Sequence, residues 1–282
     1  MTHILALIDG SVYTHSVCDH AAWAAKQFGG DVELLHVLSQ KNAGALPSDL
    51  SGAIGLGARS ALLEDLAEHD AAAARLAKER GRAILDAGQL RLEELGVSEI
   101  SLALRHGEIA ETLTKRAGDI IIMGKRGEGA DFDKLHLGSN LERVVRSVSR
   151  PVLVASRAFR PIETAVLAFD DGISARKALD SLTSSPMADR PKLIVLTVGT
   201  EGSDHARAAE AAAMQLSAAG YESETRIRQG AVEKAISEVV EQTGADILIM
   251  GAYGHSRIRS MIIGSTTTSM IRSCLVPLLL FR

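Results

Sequence analysis

Two glycine-rich segments carry the residues with the clearest chemical potential. In the first, Gly124-Lys-Arg-Gly127 is followed after ten residues by Gly138-Ser139; in the second, Gly251-Ala-Tyr-Gly254 is followed after nine by Gly264-Ser265. Glycine lets a backbone approach a ligand without Cβ obstruction, so that N–H groups reach phosphate oxygens. A Gly-Ser pair opening a helix adds unpaired N–H groups, the helix field and a hydroxyl donor, all of which favour an anion. Lys125 and Arg126 strengthen the first segment, whereas Glu128, Asp131 and Asp133 oppose them. Helix caps and turns around clefts that bind nothing would leave the same glycine pattern.

Asp9 and Asp170 add an acceptor to each segment, because each ends an apolar run at the place where parallel sheets open a ligand crevice. An aspartate there accepts a hydrogen bond from a base or sugar, or joins a divalent cation with phosphate and water. It equally serves as a turn or helix cap. Asp171, directly after Asp170, leaves the second alignment open by one position.

Other chemistries find less support. Neither segment ends in Gly-Lys-Ser/Thr, so P-loop ATPase chemistry is not indicated, and no Gly-x-Gly-x-x-Gly follows Asp9 or Asp170 to suggest a redox dinucleotide. His15, Cys18 and His20 lack metal-ligand spacing, with His36 far off, and read as surface or packing residues. His255 and Ser256 are placed to contact phosphate or promote slow hydrolysis, with Arg257 and Arg259 as phosphate neighbours and Tyr253 beside the cleft. They do not form a recognisable catalytic pair.

These residues need a scaffold of alternating strands and helices. Strands are expected near 3–9, 31–37, 98–105, 119–123 and 151–155, and again near 164–170, 192–198, 222–228, 246–250 and 276–281. The runs Ile120-Ile-Ile and Ile247-Leu-Ile suit central parallel strands, while Ser98, Ser223 and Thr225 make the middle strand of each half less uniformly apolar. Val232, Ala235, Ile236 and Val239 recur at helical spacing. Asn42 to Gly57, with Pro47, Gly52 and Gly55, reads as an extended connection before a long helix from about Ala61, with Gly81 and Gly88 positioned to bend or interrupt it. Arg157 to Pro161 reads as a short linker, giving packed domains over 1–157 and 158–282.

Both halves resemble the universal stress protein family. The first carries Ile8-Asp-Gly-Ser11, His36-Val37, Arg105-His-Gly107, Met123-Gly124 through Gly138-Ser139, and Pro151-Val-Leu-Val154. The second carries Phe169-Asp170, Thr197-Val198, Arg226 to Gly230, Met250-Gly251 through Gly264-Ser265, and Val276 to Leu280. The resemblance implies two tandem Rossmann-like three-layer α/β domains, each a five-stranded parallel sheet in the order 3-2-1-4-5, paired across their last strands. It also implies adenine-nucleotide sites. Asp170 and Val198 would face adenosine, Gly230 would shape the cleft, and Gly251, Gly254, Gly264, Ser265 and Thr266 would cradle phosphates. Asp9, Val37, Gly107, Gly124, Gly127, Gly138 and Ser139 take those roles in the first copy. There the spacer is one residue longer than the family's Gly-x2-Gly-x9-Gly-Ser/Thr pattern, and it either bulges outward or misaligns the donors.

Composition narrows what such a chain does. Its 282 residues suit about two domains, and 46% hydrophobic against 23% charged residues is a folded composition. A formal charge of -4 and a pI near 6.2 supply no general field for nucleic acid or anionic membrane. Two cysteines make no disulfide framework, and Met1 to Asp9 reads as a strand and not a signal segment, so a cytoplasmic location is expected. The leading expectation is an ATP-binding stress-response or regulatory protein, with Mg2+ accompanying ATP and with ADP or AMP as alternatives. Nucleotide occupancy would change its conformation or its oligomeric state, including a homodimer. Binding without a dedicated catalytic centre is expected, any ATP hydrolysis being weak. The alternative is a nucleotide-independent dimerisation or scaffold protein, motivated by the apolar Leu278 to Phe281 run. A transferase using adenylate chemistry has only fold-level analogy behind it.

Overall fold

The computed structural model describes residues 1–38, 56–127, 139–252 and 264–282, with side chains at 56–63 and 139 outside that description. The first half runs β1 (Thr2–Leu7), α1 (Thr14–Phe28), β2 (Gly30–Leu38), α2 (Leu56–Glu94), β3 (Ile100–His106), α3 (Ile109–Thr114), β4 (Ile120–Gly124), α4 (Ser139–Ser147) and β5 (Val152–Ala155). The second runs β6 (Thr164–Ala168), α5 (Ile173–Ser184), β7 (Lys192–Val198), α6 (Asp204–Ala218), β8 (Ser223–Arg228), α7 (Val232–Thr243), β9 (Ile247–Gly251), α8 (Ser265–Ser273) and β10 (Leu278–Phe281).

All ten strands join one sheet, in the order β3-β2-β1-β4-β5-β10-β9-β6-β7-β8. Each half therefore shows the expected 3-2-1-4-5 order. Pairs within a half are parallel, and the halves meet where β10 runs antiparallel to β5, with Leu279 opposite Leu153. The apolar β4 and β9 lie inside the sheet and the mixed β3 and β8 form its edges, as their compositions require.

Strand alternation sends successive side chains to opposite faces and makes two cores. Ile4, Ala6, Ile122, Leu167 and Leu279 meet α1, α2, α5 and α6 on one face. Leu5, Ile121, Val154, Leu248 and Leu280 meet α3, α4, α7 and α8 on the other. Both cores cross the junction between the halves without a break. The linker region is fixed as well. Ser16 Oγ donates to the Ser156 carbonyl at 2.7 Å, and Phe159 meets His20 edge to face at 5.0 Å. Gln27 adds a clasp, donating to Asp189 Oδ2 at 2.6 Å and accepting from the Asp189 N–H at 3.0 Å.

The long helix departs from expectation. It begins by Leu56, earlier than Ala61, and passes Gly81 and Gly88 as α-helix. Gly81, Leu85, Gly88 and Leu92 form the buried stripe that seats it on the sheet. A Cβ on Gly88 would stand 2.8 Å from Ile8 Cδ1 and 2.9 Å from Leu34 Cδ1; one on Gly81 would stand 2.8 Å from Leu104 Cδ1. These glycines act as close-approach points, and packing offsets their low helix propensity. Of the expected connection, residues 42–55 fall outside the described residues, and Gly57 belongs to α2.

His20 gives a pH prediction. Its Nδ1 bonds to the Ser16 carbonyl at 2.6 Å, its Nε2 is buried without a partner, and burial holds its pKa below the usual 6.5. As pH falls below 6.5 the unfolded chain takes up the proton while the folded chain resists it, so stability drops by up to about 1.4 kcal/mol per pH unit until the folded pKa is reached. Urea unfolding between pH 7 and pH 5 should show this slope, flattened in His20→Leu; equal slopes in both proteins would assign the pH dependence elsewhere.

Candidate functional site

The strand order reverses between β1 and β4, and the crevice at their C-terminal ends is where an open α/β sheet presents its loops. A cleft of about 150 Å³ occupies this position in the first half. Asp9 and Val37 line it from the ends of β1 and β2, Gly124 and Gly127 from the end of β4, and Asn140 from the first turn of α4. Thus most of the predicted first-copy residues converge. Gly138 lies outside the described residues, as does the spacer 128–137, and Ser139 is described only as the start of α4.

Asp9 stands in a turn whose counterpart resolves the second alignment. The Ser11 N–H donates to Asp9 Oδ1 at 3.0 Å, and Gly10 between them has φ +77°. In the second half the Gly172 N–H donates to Asp170 Oδ1 at 3.0 Å, and Asp171 has φ +60°. Asp170 is therefore the equivalent of Asp9. Asp171 replaces the left-handed glycine, a conformation aspartate tolerates better than most residues. Its carboxylate bonds Arg176 at 2.7 Å, which holds the guanidinium pKa above its usual value.

Backbone angles and close contacts assign the glycines different work. Gly107 and Gly230 have φ of +127° and +106°, and a Cβ added to either would have no atom within 4 Å, so backbone conformation selects glycine there. Gly124 and Gly251 are selected by crowding. A Cβ on Gly124 would lie 2.6 Å from Tyr13 Cβ, and one on Gly251 would lie 2.8 Å from Ser174 Cβ. Neither has positive φ, so glycine is required at both by the close passage of a strand end beneath α1 or α5. Gly127 is the position facing the carboxylate, with a Cβ point 2.8 Å from Asp9 Oδ2.

In the second half, Val198 ends β7 in the same register that Val37 holds in β2. The N-terminus of α8 is tied to the end of β9: the Gly264 N–H donates to the Ala252 carbonyl at 3.2 Å, and Thr267 Oγ1 lies 3.2 Å from that oxygen. These bonds bring Gly251, Gly264 and the exposed Ser265 together. Thr266 Oγ1 donates to Glu233 Oε1 at 2.9 Å, a carboxylate that no sequence motif singled out for the site. Gly254, Tyr253, His255, Ser256, Arg257 and Arg259 lie outside the described residues.

Of the two first-segment cations, Lys125 departs from expectation. Lys125 and Arg126 both line the cleft, but the Lys125 ammonium donates to the Cys274 carbonyl at the end of α8, and burial lowers its pKa. The reciprocal contact comes from Arg282, which donates to the Arg146 and Val148 carbonyls at the end of α4 at 2.5 and 3.4 Å. Each half thus places a cation at the negative end of the other's last helix. Only a cross-domain register could have shown this, because nothing near Lys125 in sequence announces Cys274. Burial pushes the Cys18 thiol up to about 12 and raises that of Cys274, so both free cysteines are held as thiols.

A tandem α/β architecture with a crevice at the switch point of its first half defines the class, and sequence comparison defines the family. The universal stress protein family profile matches residues 1–156 and again 162–282; the chain belongs to that family, whose proteins serve stress responses. Universal stress protein Slr1230 of Synechocystis is 36% identical over the whole of both chains. Universal stress protein MJ0531 of Methanocaldococcus jannaschii is 30% identical across 53% of this chain and 78% of its own. A crystal structure of a universal stress protein from Archaeoglobus fulgidus shares the fold with a TM-score of 0.70 at 21% identity, covering 99% of this chain and 98% of that one. Among the described residues, no helix is long and apolar enough to cross a membrane.

Proposed function

We propose that this chain is an adenine-nucleotide-binding regulatory protein of the stress response, located in the cytoplasm, with ATP as its principal ligand and ADP or AMP as alternatives. The convergence of Asp9, Val37 and Gly127 with the first turn of α4 around one cleft carries this reading. The missing Cβ of Gly127 leaves room beside the Asp9 carboxylate, which supplies an acceptor, and the α4 N-terminus supplies a field for phosphate. Among the described residues, no group of three or more His, Cys, Asp or Glu side chains is arranged to hold a metal. Mg2+ enters this proposal as a companion of the phosphates.

Binding shifts a conformational or oligomeric equilibrium only if the alternative states differ in affinity. The continuous cores across the β5–β10 junction give such a shift a route between halves. The scaffold alternative has lost its motive, since Leu278–Phe281 is buried between β5 and β9. Isothermal titration of nucleotide-stripped protein with ATP and magnesium tests the proposal. Saturable heat with one or two ATP per chain is expected; no binding by folded protein would move the scaffold reading into first place.

A further inference from the structure

α2 is longer than its seat on the sheet. Gly81, Leu85, Gly88 and Leu92 are its buried stripe, but over 64–80 no residue is buried and only Leu66 and Ala77 are half-buried. A second stripe, turned about 100° round the helix from the first, carries Glu64, Glu68, Ala71, Arg75, Lys78 and Arg82, all exposed. Acids hold one end of it and bases the other. Glu64 with Glu68, and Lys78 with Arg82, are like-charge pairs at i,i+4 spacing, which weaken an isolated helix. The helix field does not account for this segregation, because it acts within the first and last turns and α2 runs from Leu56 to Glu94. Among the described residues, Arg75 meets Glu79 at 3.1 Å, whereas Glu64, Glu68, Lys78 and Arg82 make no ion pair.

We propose that this stripe docks a second copy of the chain, α2 against α2 and antiparallel. A two-fold axis passing between Ala71 and Arg75 sets Glu64 beside Arg82 of the second copy and Glu68 beside Lys78 of the second copy, and the symmetry repeats both contacts. Each residue of the two like-charge pairs then gains an opposite charge. Ala71, the one small residue of the stripe, leaves room at the crossing for the longer Arg75 of the second copy. A parallel copy would set acid on acid and base on base, so the same residues fix the direction. This contact is separate from the β5–β10 pairing, which joins the two halves of a single chain. Exposed ion pairs are individually weak, so the association is reversible and governed by salt. It stands independently of the nucleotide reading.

The test is sedimentation equilibrium of the full chain in about 50 mM and about 500 mM NaCl, where charges are screened over roughly 14 and 4 Å. Wild type should dimerise in low salt and self-associate about tenfold more weakly in high salt. Glu64→Lys with Glu68→Lys makes the stripe basic throughout, and Lys78→Glu with Arg82→Glu makes it acidic except at Arg75. Either double variant alone should lose at least about tenfold in self-association. Their equimolar mixture should recover the dimer, because each reversed charge then meets its opposite. Combining all four substitutions in one chain keeps the formal charge at -4 and should restore the homodimer, which keeps the test open where a double variant fails to fold. A wild type that stays monomeric in low salt assigns the stripe to another occupant and overturns the proposal. So does a dimer that survives both reversals, or a failure of both the mixture and the fourfold exchange, as folded proteins, to restore association.

Discussion

Gly127→Val should lower ATP affinity at the first cleft on the order of 50-fold, the loss of one hydrogen bond to a charged group, while the protein stays folded. The new Cβ point lies 2.8 Å from Asp9 Oδ2. Asp9 cannot retreat freely, because its other oxygen accepts from the Ser11 N–H at 3.0 Å. Valine therefore either rotates the carboxylate out of the cleft or fills the approach to it. Gly127 has no positive φ, so backbone strain does not add to the effect. Calorimetry gives the affinity and circular dichroism the fold. An unchanged titration in a folded variant would remove Asp9 and Gly127 from the binding site, whereas Asp9→Asn with the same loss would assign the effect to the carboxylate.

The contrast among glycines shows what sequence reading can and cannot deliver. Ten strands were legible because Ile120-Ile-Ile and Ile247-Leu-Ile can be buried on both faces only inside a parallel sheet, while the mixed runs at 100–106 and 223–228 suit edges. The convergence of Asp9 with Gly127 was legible too through the family resemblance, since both lie in the loops that follow β1 and β4, the strands that flank the reversal in strand order. The reasons for individual glycines were not. Gly107 answers to its own φ, Gly124 to Tyr13 from a different element, and Gly127 to a carboxylate. One-letter spacing treats all three alike. The same limit hid the Lys125–Cys274 contact and the Glu233–Thr266 pair, which depend on how helices from separated segments are laid side by side. Asp170 was separated from Asp171 by backbone conformation, a quantity that their identical side chains could not reveal.

Gly88 is where local propensity and tertiary packing oppose each other most directly. An exposed helical glycine would gain about 1 kcal/mol of helix stability on replacement by a good helix former such as leucine. At Gly88 the site is buried, and the first added carbon already meets Ile8 and Leu34 below 3.0 Å. Gly88→Leu must also find room for three further carbons beside the fully buried Cys18 and Leu34. Overpacking outweighs the propensity gain, and a net loss of about 3 kcal/mol is expected. For a cooperative body of this size that corresponds to a Tm fall of roughly 6–12 °C. Ala87→Leu, one position away on the exposed face of the same helix, should change stability by less than about 0.5 kcal/mol. The displaced neighbour also has a functional consequence. Ile8 lines the first cleft and immediately precedes Asp9, so lifting α2 should weaken ATP binding along with the fold, and Ala87→Leu should do neither. Thermal unfolding and titration of the two variants together decide it: equal stability of Gly88→Leu and Ala87→Leu would show that α2 is not seated through Gly88.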